Sequence, residues 1–291
     1  MEQLAKKHGV SPESIIITGG STEGLRITGL TFASNGGEII SGQPTFLAMM
    51  TYAEQWGATI NWVPVGEDKG YDLDEMEKRI SSKTKLIFLC NPNNPTGTLI
   101  PAKRLVDFCD SAIKKAIVFS DEAYYDYIET PNYPSMIEAV KRGENVIVSK
   151  TFSKVYGMAG LRVGYLIAKP EIAAKIRKNV VAMSNVLAVE AAKEALQDEA
   201  FYQFSLEKNR ESKKRIYKLL DHLNLTYVES HTNFIFFHAK KDIRELGPAM
   251  LAKGVRIGRP FPPFYDWCRI SSGTLEEVDF FIKGMLEIYE A

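Results

Sequence analysis

Residues 149–168, SKTFSKVYGMAGLRVGYLIA, set two lysines, several hydroxyl residues and an arginine among glycines. A flexible amine there, Lys150 or Lys154, can form a Schiff base with an aldehyde, while Thr151, Ser153 and Arg162 can hold a phosphate beside it. The plain alternative for any one of these residues is a solvated loop. In FSDEAYYDY (119–127), a carboxylate at Asp121 ends an apolar run and a phenol follows at Tyr124. Alone, such an aspartate serves as a helix N-cap. In CNPNNPTGTLI (90–100), prolines and asparagines forbid regular structure and fix a stiff turn, in which Asn91, Asn93 and Asn94 are all available for contact. Near the start, IIITGGSTEGLRITGL (15–30) reads as strand, glycine turn and helix, so Gly20, Ser21 and Thr22 stand where a helix start can receive an anion. Phe46 follows a proline turn in SGQPTFLAMM and suits either a ligand ring or the core. Arg259 and Arg269, in GVRIGRPFPPFYDWCRISSGT (254–274), offer forked donors to a carboxylate, or else surface salt bridges and turn contacts.

Short β-branched runs must position these groups. Seven occur before Pro170: 14–18, 37–40, 59–65, 85–90, 116–121, 145–149 and 162–168, separated by helical patterns. LIFLC and IVFS are apolar at successive positions, the pattern of a mostly parallel sheet covered by helices on both faces. Asp121 then emerges at the C-terminal end of a parallel strand, the edge where open α/β sheets bind ligands. Residues 171–198 continue as helix, and 201–223 form a charged amphipathic helix. Strands are expected at 232–239, 254–258 and 266–272, with helices at 242–253 and 275–290, which together make a smaller α+β domain.

SKTFSK followed by GLRVG resembles the lysine segment of fold-type I pyridoxal-phosphate aminotransferases, class I/II, particularly the histidinol-phosphate aminotransferase-like group. That resemblance implies a large domain over residues 1–205, which binds the cofactor, and a small C-terminal domain over 206–291. Lys154 matches the Schiff-base lysine, because the family's phosphate-binding arginine lies eight residues beyond it and Arg162 keeps that distance from Lys154. Lys150 is then expected to be an ordinary surface lysine. Asp121 matches the partner of the pyridine nitrogen, while Tyr124 and Asn94, rather than Asn91 or Asn93, match the contacts to the ring's 3-oxygen. Gly20, Ser21, Thr22, Thr151, Ser153 and Arg162 match the phosphate cup. Phe46 matches the aromatic stacked on the ring, where tyrosine is common in histidinol-phosphate aminotransferases. Arg269 matches the arginine that grips the substrate carboxylate, or the phosphate of histidinol phosphate, and Arg259 is left between the substrate's side chain and a turn contact. Pro95 is a candidate for a cis peptide bond.

The implied reaction moves an amino group from an amino acid, or from histidinol phosphate, to a 2-oxo acid. Lys154 takes the Cα proton and returns it to C4′ of the cofactor. The family also contains threonine-phosphate decarboxylases, and a silent, N-terminally truncated relative is a further alternative. Family members commonly carry about 60–70 residues ahead of the strand that begins here at Ile15, including a tyrosine that crosses the dimer. A homodimer with its site near the interface is the expected assembly.

The 291 residues carry 36 basic and 36 acidic side chains and are 45% hydrophobic. Zero net charge gives no long-range attraction to nucleic acid or anionic lipid, so neither is an expected partner. Three cysteines without a CxxC pair argue against a disulfide scaffold or a zinc site. There is neither a signal-peptide pattern nor an 18-residue apolar run, so the cytoplasm is the expected location.

Overall fold

The computed structural model describes residues 1–180 and 184–290. Among these, seven strands form one sheet: β1 (Ile15–Thr18), β2 (Glu38–Gln43), β3 (Thr59–Pro64), β4 (Thr84–Cys90), β5 (Ile117–Asp121), β6 (Val146–Thr151) and β7 (Gly164–Ala168), in the spatial order β1-β7-β6-β5-β4-β2-β3. The pairings among β2 to β6 are parallel, and β7 runs antiparallel to both β6 and β1. Successive residues of β4 enter two separate cores, Ile87 and Leu89 on one face and Leu86, Phe88 and Cys90 on the other. An apolar run therefore stays apolar at every position because both faces are covered.

Register aligns the chemistry. Cys90 pairs with Asp121 and Asp121 with Ser149, so β4, β5 and β6 end side by side. Gly164 pairs with both Thr151 and Thr18, and this brings the turn before β7 against the glycine turn after β1. A side chain on Gly164 would lie 2.9 Å from backbone atoms of Gly20, Ser21 and Lys150, which leaves glycine as the residue that fits.

The helical pattern expected over 171–198 is divided. Helices cover Pro170–Arg177 and Val186–Ala195, and positions 181–183 lie outside the described residues. Asn179 turns its amide to Thr31 Oγ1 (2.8 Å), and Asn185 caps the second helix by accepting the Leu187 N–H, so both asparagines compete with a continuous helical ladder. The next helix, Glu199–His222, is capped by Asp198 and runs through residue 205. Its early residues Tyr202 and Leu206 pack beside Tyr124 and Val155, whereas Ile216, Leu219 and Leu220 join the C-terminal core.

That core is built on an antiparallel pair, β8 (Phe234–His238) with β9 (Trp267–Ser271), and on the helices Ile243–Ala252 and Leu275–Tyr289. A capping box between Thr274 and Glu277 starts the last helix. The strand expected at 254–258 does not form. Gly254, at φ +83°, turns the chain after the preceding helix, and Gly258 reaches β9 through one hydrogen bond from its N–H to the Arg269 carbonyl (2.9 Å). One contact of that kind is a touch, not a ladder.

Candidate active site

Asp121 ends β5 and is 2% exposed, and its Oδ1 has no hydrogen-bond partner. Burial pushes its carboxyl up to about 7, with Ser149, the Ala123 N–H and the Lys154 ammonium partly offsetting the effect. An unpartnered buried acceptor calls for a ligand donor, and a protonated ring nitrogen is one.

Lys154 lies just beyond β6, with Nζ 5.0 Å from the centroid of the Tyr124 ring. Burial lowers its pKa, and the Arg269 guanidinium lowers it further, against the pull of Asp121. This amine is therefore easier to deprotonate than a surface lysine, as a group that exchanges protons with substrate requires.

The three asparagines of the 90–100 turn separate by their contacts. Asn91 donates to Tyr133 Oη (2.6 Å) and accepts the Ile100 N–H (3.0 Å). Asn93 accepts from Thr45 Oγ1 (2.8 Å) and Tyr71 Oη (2.9 Å), and donates to Pro44 O and Thr96 Oγ1. Both tie the turn down. Asn94 instead joins the polar groups at the sheet edge, donating to Tyr124 Oη (3.3 Å) and accepting from Arg269 Nη1 (2.6 Å). The Asn94–Pro95 peptide is cis, as are Asn91–Pro92 and Gln43–Pro44. Tyr124 is buried, with its ring edge-on to Phe234 at 5.2 Å, and burial raises its phenol well above the ordinary value.

The phosphate-cup residues converge from three segments. Gly20, at φ +82°, opens the helix Ser21–Ala33 without a side-chain cap, so the first-turn N–H groups around Ser21 and Thr22 remain available. Arg162, itself at φ +54°, sends Nη1 to Ser153 Oγ (3.4 Å) and Ala159 O (2.8 Å), and Nη2 to Gly19 O (3.3 Å). A Cβ on Gly20 would stand 2.5 Å from Arg162 Nη2, so the guanidinium comes this close because the residue is glycine. Thr151 Oγ1 accepts the Ser153 N–H (3.1 Å). A guanidinium, hydroxyls and an open helix start make a fitting receptor for a phosphate dianion.

Phe46 is half-buried past the end of β2 and packs on the core that contains Leu25 and Phe88. Arg269, on β9, lies 5.1 Å from the Phe234 ring and 5.3 Å from Phe261, and its buried Nε has no partner. Arg259 is exposed, donates to Pro260 O (2.9 Å) and lies 4.4 Å from the same Phe261 ring. Two guanidinium groups thus share one phenyl ring.

Lys150 corrects the expectation of a surface lysine. Its side chain is 11% exposed, and its ammonium lies 2.9 Å from Glu122 Oε2 and 4.1 Å from the Tyr125 ring centroid. Lys150 sits at the end of β6, inside the sheet, where a lysine needs a buried counter-charge. Sequence reading also passed over Tyr71, whose hydroxyl accepts the Cys90 N–H (3.1 Å) and donates to Asn93. The available signal was Gly42, inside β2, where a Cβ would meet the Tyr71 ring at 2.2 Å.

The family model for "Aminotransferase class I and II" matches residues 1–284. This chain belongs to the class I and II aminotransferases. Pyridoxal phosphate is the cofactor that goes with the family, and the orphaned Asp121 oxygen, the half-buried Lys154 amine and the Arg162 cup fit its ring nitrogen, aldehyde and phosphate. Two curated relatives, both histidinol-phosphate aminotransferases, come from Moorella thermoacetica (40% identical, covering 99% of this chain and 75% of the relative) and Halalkalibacterium halodurans (34%, 99% and 78%). A crystal structure of histidinol-phosphate aminotransferase from Sinorhizobium meliloti, in complex with pyridoxal 5′-phosphate, superposes with a TM-score of 0.90 at 27% identity, over 99% of this chain and 80% of that one. The aminotransferase family sets the substrate classes as amino acids and 2-oxo acids.

Proposed function

We propose that this aminotransferase takes its amino group from histidinol phosphate or an amino acid of comparable size and passes it to a 2-oxo acid. The observation that carries this reading is the buried Asp121 carboxylate, with a free oxygen, on the same sheet edge as Lys154. Bound pyridoxal phosphate supplies an aldehyde carbon for the amino group and a ring that accepts electrons from Cα. Asp121 holds a proton on the ring nitrogen. Tyr124 and Asn94 would hold the ring's 3-oxygen, and Phe46 would supply an aromatic neighbour for the ring. Thr151, Ser153, Arg162 and the helix start at Gly20, Ser21 and Thr22 hold the phosphate. Lys154 would take up and return the proton of the substrate's Cα, a role for which its lowered pKa suits it. Arg269 takes the substrate's anionic group, its buried Nε being unpartnered, and Arg259 adds a second cation 4.4 Å from the Phe261 ring that Arg269 also approaches. The histidinol-phosphate aminotransferases among its relatives support histidinol phosphate as donor.

The reading extends to a cytoplasmic homodimer. Among the described residues no helix is long and apolar enough to cross a membrane. Phe201 and Phe204 are exposed, with ring centroids 6.3 Å apart, and Phe201 lies against Gly157 in the loop beyond Lys154. An exposed apolar patch beside the site suits a subunit contact. The reading also keeps a large domain over residues 1–205 and a small one over 206–291, a boundary that falls within the helix Glu199–His222.

The test is an absorption spectrum of protein loaded with pyridoxal phosphate and titrated with histidinol phosphate, glutamate, aromatic amino acids and threonine phosphate. A shift of the visible band to the pyridoxamine form with histidinol phosphate is the expected result. Carbon dioxide release from threonine phosphate would convert the reading to a decarboxylase, and the lack of any band would convert it to a silent relative. Sedimentation equilibrium decides the dimer.

A further inference from the structure

We propose that Glu122 and Lys150 are a positioning pair for the reaction, which locks the strand ends carrying Asp121 and Lys154 together and holds the local charge beside Asp121 at zero. This rests on the reading of Asp121 and Lys154 given above. The two residues follow the register pair Asp121 and Ser149 on adjacent strands, and the Glu122 N–H donates to the Ser149 carbonyl (2.9 Å). Successive residues point to opposite faces of a sheet, so the pair occupies the face behind the site. Glu122 is 3% exposed and is fully engaged. Besides Lys150 it accepts from Ser135 Oγ (3.0 and 2.8 Å) and from the Met136 N–H (2.8 Å). Lys150 rests on Tyr125, whose hydroxyl donates to Tyr133 O (2.7 Å). One ion pair thus fastens the ends of β5 and β6 to the 133–136 loop. Lys154 is four residues beyond Lys150, and the chain between them includes Thr151 and Ser153 of the phosphate cup.

Ser135 and the Met136 N–H explain a carboxylate at Glu122, and a buried carboxylate in turn needs the Lys150 counter-charge 2.9 Å away. Glu122 raises the Asp121 pKa, and Asp121 must be ionised to hold a proton on a ring nitrogen. Lys150 sets the opposite charge 2.9 Å from Glu122, and on this proposal it offsets that field. Its own proton is held firmly, because Glu122 and Asp126 overcome a burial effect that would lower its pKa. The other titratable groups around Asp121 are Cys90 at the end of β4, Tyr71, Tyr124 on its own loop, and Lys154. Around Lys150 stand Tyr125 and Asp126, with Lys7 and His8 contributed by the first helix, Glu2–His8.

Removal of either charge should therefore move the Asp121 titration, and in opposite directions. Lys150→Met exposes Asp121 to an unpaired Glu122 and raises the pH at which it ionises. Glu122→Gln leaves an unpaired Lys150 and lowers that pH. A purely structural role predicts the same loss for both. The experiment follows the equilibrium affinity for pyridoxal phosphate and the bound cofactor's visible band against pH, in the wild type, the two single variants, Lys150→Arg, and the double variant Glu122→Gln/Lys150→Met. Opposite shifts of about half to one pH unit, a double variant back near the wild-type profile and rescue by Lys150→Arg are expected. Shifts in one direction only, no shift, or a double variant no closer to wild type than the singles would overturn the pairing role. Should Lys150→Met fail to fold, Glu122→Gln and the double variant still carry the comparison. A wild type that binds no cofactor would instead overturn the reading of the site itself.

Discussion

Asp121, Asn94 and Lys154 stand at three neighbouring strand ends, whereas Arg259 and Arg269 stand on a two-stranded ribbon and the irregular chain before it. At the first region, parallel ladders set the register and the turn asparagines satisfy their own hydrogen bonds. At the second, aromatic rings hold the chain: Trp267 stacks on Phe236 at 5.0 Å, Phe261 meets Phe236 at 6.2 Å, and Lys69, in the loop after β3, lies 4.7 Å from Trp267 and 5.1 Å from Phe264. Directional backbone bonds fix a reacting atom to within tenths of an ångström, while ring contacts tolerate sliding. On the roles proposed above, bond-breaking falls to the ladder-fixed edge and substrate binding to the ring-held arm. This division also locates where damage should appear as lost kcat and where as raised KM.

The largest effect is expected at Lys154. Lys154→Ala should abolish turnover, by a factor of about 10³ or more, and remove the visible band of the bound cofactor while leaving the fold intact. An unchanged band would break the assignment of the rigid edge.

Asp121→Asn comes next, and it separates function from stability. Turnover should fall about 10²–10⁴-fold through loss of the ring-nitrogen partner. The cofactor-free protein should respond in the opposite sense. The Asp121 carboxyl is pushed up to about 7, above the value of about 3.9 for an unfolded chain, so its contribution to stability is complete below about pH 4 and is lost as pH rises through 7. Asn cannot ionise, so the variant should be more stable than wild type at pH 8, by about 4 kcal/mol, and melt higher there, and the gap should close towards pH 4. Thermal melts of the apo protein across that range check the sign.

On the arm, Arg269→Lys should raise KM about 10–100-fold with a smaller change in kcat, because one ammonium cannot reproduce the forked contact. An equal KM would move the anion site elsewhere, with Arg259 the next candidate.

The smallest effect sharpens the contrast. Lys69→Met should raise KM about two- to fivefold with kcat preserved, the size of a half-exposed cation–π contact, and Lys69→Arg should restore most of it. A drop in kcat instead would show that Lys69 acts on the rigid edge.

Much of the site could be read from local pattern, because its residues sit at the ends of strands whose apolar runs are unmistakable, as at LIFLC before Asn91 and IVFS before Asp121. Lys150 could not. Its type and neighbours are those of a solvated loop, and only the arrival of Glu122 from an adjacent strand makes its burial tolerable. The strand expected at 254–258 failed for a related reason: β-branched residues supply propensity, but a strand exists only where a partner offers a ladder. Tyr71 likewise has no local signal of its own and is visible through Gly42, twenty-nine residues away.

The sequence by itself determined the αβ alternation, the glycine turn, the proline-locked asparagine turn and the spacing of Lys154 to Arg162, since these depend on backbone preference and apolar period within short windows. The turn's own chemistry left three asparagines open and the family resemblance pointed to Asn94, while tertiary structure decided that Asn94 meets Tyr124 and Arg269, that the Asp121 oxygen is left free, and that Lys150 is an interior charge. Each of those depends on what a distant segment brings within about 3 Å, and side-chain identity along the chain carries no record of that distance.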